Sequence, residues 1–405
     1  MDANEARKTT VQASEAAFGG NEQVAFQATR RWTRLGLEES REELFDARAR
    51  SRAALYQNNI ESYIGTVTVP VGLAGPLQIH GQSGTAEYRV PLATTEAALV
   101  ASYNRGARLL TAAGGCTARV VDQGVSRTPL FAFNNLVDAV RFADFVPTQL
   151  DQFHEIVATI TSHGNLQSAK TTIEGNKVYL DLRYSTGDAC GQNMVTFVSD
   201  AICKAILGCS PVQPRYWFLE ANFSGDKKAT AKSMADVRGK RVVAEVTIPR
   251  EIVCDQLHTT PEHMVEYWYA GAIGGVMSGT TGIQGHFANG LAALYLACGQ
   301  DIACVAESAV GITRMETNDA GGLYASVTLP NIMVGTVGGG TGLPSAKACL
   351  ELLGLVGSGN SNALAEVCAG IVLAGELSIV GAFCSADFAI AHRSLSRGEP
   401  MQRRT

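Results

Sequence analysis

The stretch AGIVLAGELSIVGAFCSADFAIA, residues 369–391, constrains this chain more than any other. It is too long for one strand, and as a helix it is apolar on every side. Glu376 and Asp387 interrupt it and small residues crowd it, which favours a helix buried in protein over one that spans a bilayer. Such a helix needs a large domain around it. The 405 residues, 46% hydrophobic and 18% charged, suffice for one large domain or two ordinary ones. The formal net charge of −5, without a basic stripe, argues against nucleic acid as a partner.

The N-terminal MDANEARKTTVQASEAAFGG has no apolar centre, so no secretory signal is read there. The ten Cys form no C-x-x-C pair and several sit in apolar segments. They read as reduced, buried thiols of a cytoplasmic protein, with no metal centre and no membrane partner expected.

Residues 1–56 read as a polar helical segment. IGTVTVPVGLAGPLQI alternates like a strand, and TTEAALVASYNRGARLLTAAGG reads as a helix capped by Thr94 or Thr95 and stopped by Gly114-Gly115. Residues 121–218 carry a strand in TPLFAF, helix in NNLVDAVRFADFV and TQLDQFHEIVATI, a hairpin in AKTTIEGNKVYLDLRYST, a helix in GQNMVTFVSDAICKAILG and a strand in PRYWFLEANF. That order, β-α-β-β-α-β, is ferredoxin-like. The expected fold is α+β: a large mixed domain, 57–120 with 219–405, built around the long buried helix, with 121–218 inserted into it as a smaller subdomain.

Neither G-x-x-x-x-G-K-[ST] nor G-x-G-x-x-G occurs in a nucleotide-binding context. GTVGGGTGLP (335–344) lets backbone N–H groups approach an anion, or simply makes a tight turn. In STGDACGQNMVTF, Gly187-Asp188 opens a helix suited to a pyrophosphate, with an ordinary N-cap as the plainer reading of Asp188. Glu96, Lys227, Asp301 and His392 stand out by their surroundings. Each has a bland account as a cap, a solvated lysine, a capped helix break or a surface histidine. Together they are the parts for reducing a carbonyl: an ammonium for a developing oxyanion, an acid, a carboxylate that tunes its neighbours and an imidazole for a leaving group.

ESYIGTVTVPVGLAGPL, PLATTEAALVASYNRGAR, GDACGQNM, NFSGDKKATA, HFANGLAALYLACGQD, TLPNIMVGTVGGGTGLPSAKACLELLG and LAGELSIVGAF occur in order between about 57 and 397. In these stretches the chain resembles the hydroxymethylglutaryl-CoA (HMG-CoA) reductase family, in the soluble catalytic-domain form of class I. The resemblance implies reduction of an acyl-CoA thioester to the alcohol by NADPH, with NADH as the alternative. It implies Lys227 at the oxyanion, Glu96 as proton donor, Asp301 bonded to both, and His392 protonating the coenzyme A thiolate. Asp188, Gly191, Asn193, Met194, Gly338, Gly339, Gly340 and Arg397 would contact the cofactor. Arg119, Asp226, Lys228, His286 and Asn289 would lie at the substrate. A homodimer or homotetramer with the site at a subunit interface, and a cofactor-carrying inserted subdomain, are also implied.

The departures lie at the acyl end. The family places a lysine shortly before HFAN to grip the HMG carboxylate; here no lysine occurs between Lys240 and Lys347, and Tyr269 falls near that place. Glu220 stands where a small neutral serine is usual, with Ala97 and Ala229 as smaller changes. Losing the cation leaves a buried carboxylate uncompensated, typically at several kcal/mol. Two readings stay open: a different acyl thioester, on CoA or a carrier protein, or an HMG group held by Arg119, Lys228 and a water. A non-catalytic binding homologue is the remaining rival. Ser162 and His163 occupy the loop where NADP-specific members carry an arginine.

Overall fold

The computed structural model describes residues 20–385 in two compact units that divide between Pro70 and Val71. His392 and Arg397 lie outside the described residues.

The first unit is helical, as its charge pattern suggests. Gly20–Leu35 is the longest helix. Trp32 packs with Ala28, Phe45, Ala49, Ala53 and Tyr63, and its indole N–H donates to the Ile64 carbonyl at 2.6 Å. Asp46 caps the short helix Ala47–Ser51 through the Ala49 N–H at 2.7 Å.

The second unit is one mixed sheet with helices packed on it, and its α+β character is the expected one. Its strands are β1 (Val71–Gly81), β2 (Gly84–Ala93), β3 (Cys116–Arg127), β4 (Leu130–Ala132), β5 (Asn165–Glu174), β6 (Lys177–Ser185), β7 (Tyr216–Phe218), β8 (Gly239–Ile248), β9 (Gly282–Ile283), β10 (Gly311–Thr317) and β11 (Leu323–Ile332). The path runs β7-β4-β6-β3-β8-β11-β10-β9, with β1 against β2 and β3, and β5 against β6. One end of it, β7-β4-β6-β5, is all antiparallel and has the ferredoxin-like order. Val178, Leu180, Leu182 and Tyr184 alternate inward from β6, the period-2 pattern of a half-buried strand. The long strand β3 continues from this small sheet into the large one by pairing with both β6 and β8.

The helix Ser361–Cys384 is the centre of the large part. Among the described residues it is the one helix long and apolar enough to cross a membrane, and 83% of its most apolar window is buried in the fold. It packs against β1, β3, β8 and β11 and against the helices Leu99–Ala112, Pro261–Ser278 and Phe287–Ala297. Small residues permit this. A Cβ on Gly106 would run into the Ala374 carbonyl, and one on Gly375 into the Tyr103 ring.

Two local expectations need correcting. The helix after TTEA starts at Leu99 behind a left-handed Ala98, not at a Thr94 or Thr95 cap; Thr94 Oγ1 instead accepts from the Glu96 N–H at 3.0 Å, so Glu96 sits in a turn ahead of the helix. The helix of GQNMVTF starts at Gln192 behind a left-handed Gly191, and Asp188 does not cap it. Asp188 accepts from Gly359 N at 2.7 Å and Ser361 N at 3.2 Å, so it caps the core helix. Burial raises its pKa, but those hydrogen bonds outweigh burial and leave it lowered.

Because the obstacle at Gly106 is backbone, relief requires the two helices to move apart. Gly106→Ala is expected to cost about 1–3 kcal/mol, the scale of an overpacked core, read as a lowered midpoint in denaturant unfolding with an unchanged slope.

Candidate active site

Lys227 lies in the loop between β7 and β8, in the stretch Ser224-Gly225-Asp226-Lys227-Lys228. It has a left-handed backbone, φ 57°, although it carries a side chain. Its Nζ is 2.7 Å from Asp301 Oδ2. Asp301 is the N-cap of the 3-10 turn Ile302–Cys304, and its Oδ1 accepts from the Ala303 N–H at 3.0 Å. One oxygen therefore holds its own turn and the other holds the lysine. Asp301's hydrogen bond raises the Lys227 pKa above the ordinary 10.5, and burial works against it. The amine is charged at neutral pH and points at a carboxylate that is itself partly exposed, the arrangement needed to receive a developing oxyanion.

The rest of the lysine loop is wired by two arginines. Arg127 reaches Glu220 at 3.3 Å and Asp226 at 3.1 Å. Arg238 lies 2.7 Å from the other Asp226 oxygen, off the hydrogen-bond direction, and 2.5 Å from Glu307. Glu220 also accepts from Ser224 Oγ at 2.9 Å and from Thr128 N at 3.3 Å, and its other oxygen accepts from Ala221 N. The carboxylate that looked in sequence like an added negative charge at the acyl end is engaged inside its own loop. Lys228 Nζ donates to the Asp226 carbonyl at 2.8 Å.

The other expected residues form a second group. Tyr103 Oη donates to the His286 carbonyl at 3.1 Å, and the two rings lie 5.1 Å apart. His286 precedes the helix Phe287–Ala297, which carries Asn289, and His286 Nε2 is buried without a partner. Glu376 on the core helix supports this start by accepting from Gly285 N at 2.8 Å, His286 N at 2.9 Å and Thr313 Oγ1 at 2.7 Å. Glu96 makes no hydrogen bond to Lys227 or Asp301. Arg119, on β3, donates to the carbonyls of His80 at 2.5 Å and Ala118 at 2.7 Å. Tyr269 is 64% exposed on the helix Pro261–Ser278.

On the cofactor side, Gly338 and Gly339 have φ of 73° and 53°, and open space surrounds the place of a Cβ at each. Gly340 packs on Gly299, just before Gln300 and Asp301, so this loop abuts the turn that carries the carboxylate. Gly191 packs closely on Thr186, Met194 on Gly164, and Asn193 is exposed. Ala189 bridges to Val337, which joins the GDACGQN segment to the glycine loop.

Sequence reasoning missed Arg127, Arg238, Glu307, Gln192 and the support role of Glu376. Gln192 Nε2 donates to Cys304 Sγ at 2.9 Å and Asp301 Oδ2 at 3.3 Å. Charged residues inside otherwise apolar strand and helix sequence were the available signal, since a buried charge must have partners.

These elements define a class: a mixed α+β protein that presents a loop lysine to a capping carboxylate beside a glycine loop. The hydroxymethylglutaryl-coenzyme A reductase family pattern matches residues 25–397. The chain is 44% identical over 350 residues to the 3-hydroxy-3-methylglutaryl-coenzyme A reductase of Pyrococcus horikoshii, covering 85% of this chain and 84% of that one. It is 45% identical over 350 residues to that of Aeropyrum pernix, covering 85% and 83%. Its fold resembles a class II 3-hydroxy-3-methylglutaryl-CoA reductase from Streptococcus pneumoniae solved with NADPH in open conformations, with a TM-score of 0.63 at 20% identity over 87% of this chain and 96% of that one. The chain belongs to the hydroxymethylglutaryl-coenzyme A reductase family.

A group whose pKa is raised on folding lends stability in full below its unfolded value and loses it as pH rises through the folded one. Asp301→Asn is therefore expected to bring the Lys227 titration down, read by 13C NMR of dimethylated lysine. The stability it removes at neutral pH should be under about 1 kcal/mol, because both side chains are more than a third exposed, and the difference from wild type should vanish above the folded lysine value.

Proposed function

We propose that this protein reduces HMG-CoA to mevalonate with NADPH. The Lys227–Asp301 pair carries the reading, in a chain 44% identical to a named reductase. NADPH would supply the two hydrides that a thioester needs to become an alcohol. The glycine loop suits it, because backbone with no Cβ at Gly338 and Gly339 leaves room for a pyrophosphate. Asp188, Gly191, Asn193 and Met194 belong to the adjoining segment; the Asp188 carboxylate is spent on the core helix, so this segment offers the cofactor its backbone and Asn193. We take 121–218 as the cofactor-binding subdomain, 57–120 with 219–405 as the substrate and coenzyme A domain, and 1–56 as an N-terminal helical segment.

Lys227 would hold the oxygen of the thioester carbonyl as it gains charge, and again that of the aldehyde. Asp301 fixes the amine's direction and keeps it protonated. Glu96 would deliver a proton to that oxygen, and His392 would protonate the departing coenzyme A thiolate. The partnerless Nε2 of His286, with Asn289 one turn on, would face the acyl group. Glu220 is engaged inside its own loop by Arg127, Ser224 and two backbone N–H groups and so gives no reason to exclude an acyl carboxylate, which favours HMG over the alternative thioesters.

No hydrogen bond or ion pair joins Glu96 to the Lys227–Asp301 pair, and the helix Pro261–Ser278 exposes Tyr269 (64%), Ile273 (48%), Val276 (75%) and Met277 (82%). Apolar residues at this spacing share a helix face, and a face of this kind marks an interface. We read the working unit as a homodimer in which Glu96 of one copy meets Lys227 of the other.

The purified protein is expected to oxidise NADPH with HMG-CoA and to yield mevalonate by mass spectrometry, with Lys227→Ala lowering kcat about 10²–10³-fold, the usual loss for one oxyanion donor. A folded protein that binds NADPH yet turns over no HMG-CoA would overturn the reading. Mixing Glu96→Ala and Lys227→Ala subunits is expected to restore up to about a quarter of wild-type turnover if the site is shared between two copies and subunits combine at random; no recovery on mixing, with subunit exchange verified, would place both residues in one subunit.

A further inference from the structure

The turn that supplies Asp301 supplies a second carboxylate to the same lysine. The 3-10 turn Ile302–Cys304, capped by Asp301, runs directly into the helix Val305–Ser308, which carries Glu307. Glu307 is fully buried. Its Oε1 accepts the backbone N–H of Lys227 at 3.2 Å and pairs with Arg238 at 2.5 Å, while Oε2 has no partner. The turn is anchored next door, where Ser308 Oγ donates to the Asn331 carbonyl at 2.6 Å and accepts from Tyr295 Oη at 3.0 Å.

Lys227 is gripped at both ends by one short element, Asp301 on the ammonium and Glu307 on the peptide N–H. A side-chain-bearing residue at φ 57° persists only where its surroundings hold it there. Were Lys227 to relax to the right-handed region, its N–H and its side chain would turn together, and Nζ would leave Asp301. Arg238 tightens the clamp by reaching Glu307 on one side and Asp226, the residue before Lys227, on the other.

We propose that Glu307 is a positioning residue: its carboxylate oxygen on the Lys227 N–H holds this lysine in its left-handed conformation and so aims the amine at Asp301. The geometry stands by itself, and the kinetic consequence rests on the function proposed above.

The test compares Glu307→Ala, which removes the acceptor, with Glu307→Gln, which keeps it. Both are assayed for kcat and KM with HMG-CoA and NADPH, for thermal stability, and for the Lys227 titration by 13C NMR of dimethylated lysine assigned with Lys227→Arg. Glu307→Ala is expected to lose about 100-fold in kcat, the scale of a misplacement near 1 Å, with KM within about threefold and the Lys227 titration moved down to that of Asp301→Asn. Glu307→Gln should recover most of the lost kcat and keep the wild-type titration. If Glu307→Ala does not fold, Glu307→Leu keeps the volume without the acceptor and carries the same expectations. A wild-type titration in Glu307→Ala, or Ala and Gln variants that fall together in kcat and in stability, would overturn the proposal. Should the wild type not turn over HMG-CoA at all, the proposed function fails, and the titration still decides the positioning role: a shift in Ala but not in Gln upholds it, and no shift ends it.

Discussion

A helix that is apolar on all sides has to be surrounded on all sides, and that requirement organises the large unit. Ser361–Cys384 is covered by the sheet on one side and by four helices on the others, the fourth being Arg250–Leu257. At about 25 cal/mol per Å² of apolar surface, its side chains are a main source of cohesion. The close approach at Gly106 and Gly375 brings the neighbouring helix near enough for its rings and aliphatic groups to fill the space. The carboxylates on this helix are the exceptions that have to be satisfied. Glu366 accepts from Gln82 N at 2.9 Å, and Glu376 takes two backbone N–H groups and a threonine hydroxyl.

Satisfying those groups places the functional segments. Glu376 fixes the start of the helix that bears His286 and Asn289, and Asp188 fixes the GDACGQN segment to the core helix N-terminus. The lysine loop follows the same logic with ion pairs in place of backbone bonds. Arg127 and Arg238 each face two carboxylates. Removing one partner of such a set leaves the others buried and uncompensated, a cost of about 3–5 kcal/mol. The loop is thus held as a unit.

The long elements were legible in the sequence because their periods are unambiguous. The alternation in β6 reads as a strand and the run from Ala369 onward as a helix, whose two carboxylates favour burial in protein over a membrane. The ferredoxin-like order followed from element types alone. Helix starts were less legible. Thr94 and Thr95 have the right chemistry for a cap, yet the chain turns once more before Leu99; Asp188 has it too, and serves a helix far along the chain. Capping propensity says that a carboxylate wants N–H groups but not whose. At the site, Lys227 lies beside Asp301 as the family resemblance implies, whereas the ion pair that engages Glu220 could not be read because Arg127 is distant in sequence. Long-range ion pairs leave no local pattern. Glu307 was invisible for the same reason.

The two carboxylates of the core helix also set its phase. Glu366 and Glu376 stand about 15 Å apart along the axis and roughly 80° apart around it, each aimed at a different segment of the surrounding fold. Deleting a single residue between them would swing one by about 100° relative to the other, taking an acid from its hydrogen-bond partners into apolar surroundings. Any apolar residue of similar size is tolerable at many of the intervening positions, but the number of positions is not negotiable. In this family member, drift by substitution is open along the helix except at closely packed glycines such as Gly375, while drift by insertion or deletion is closed.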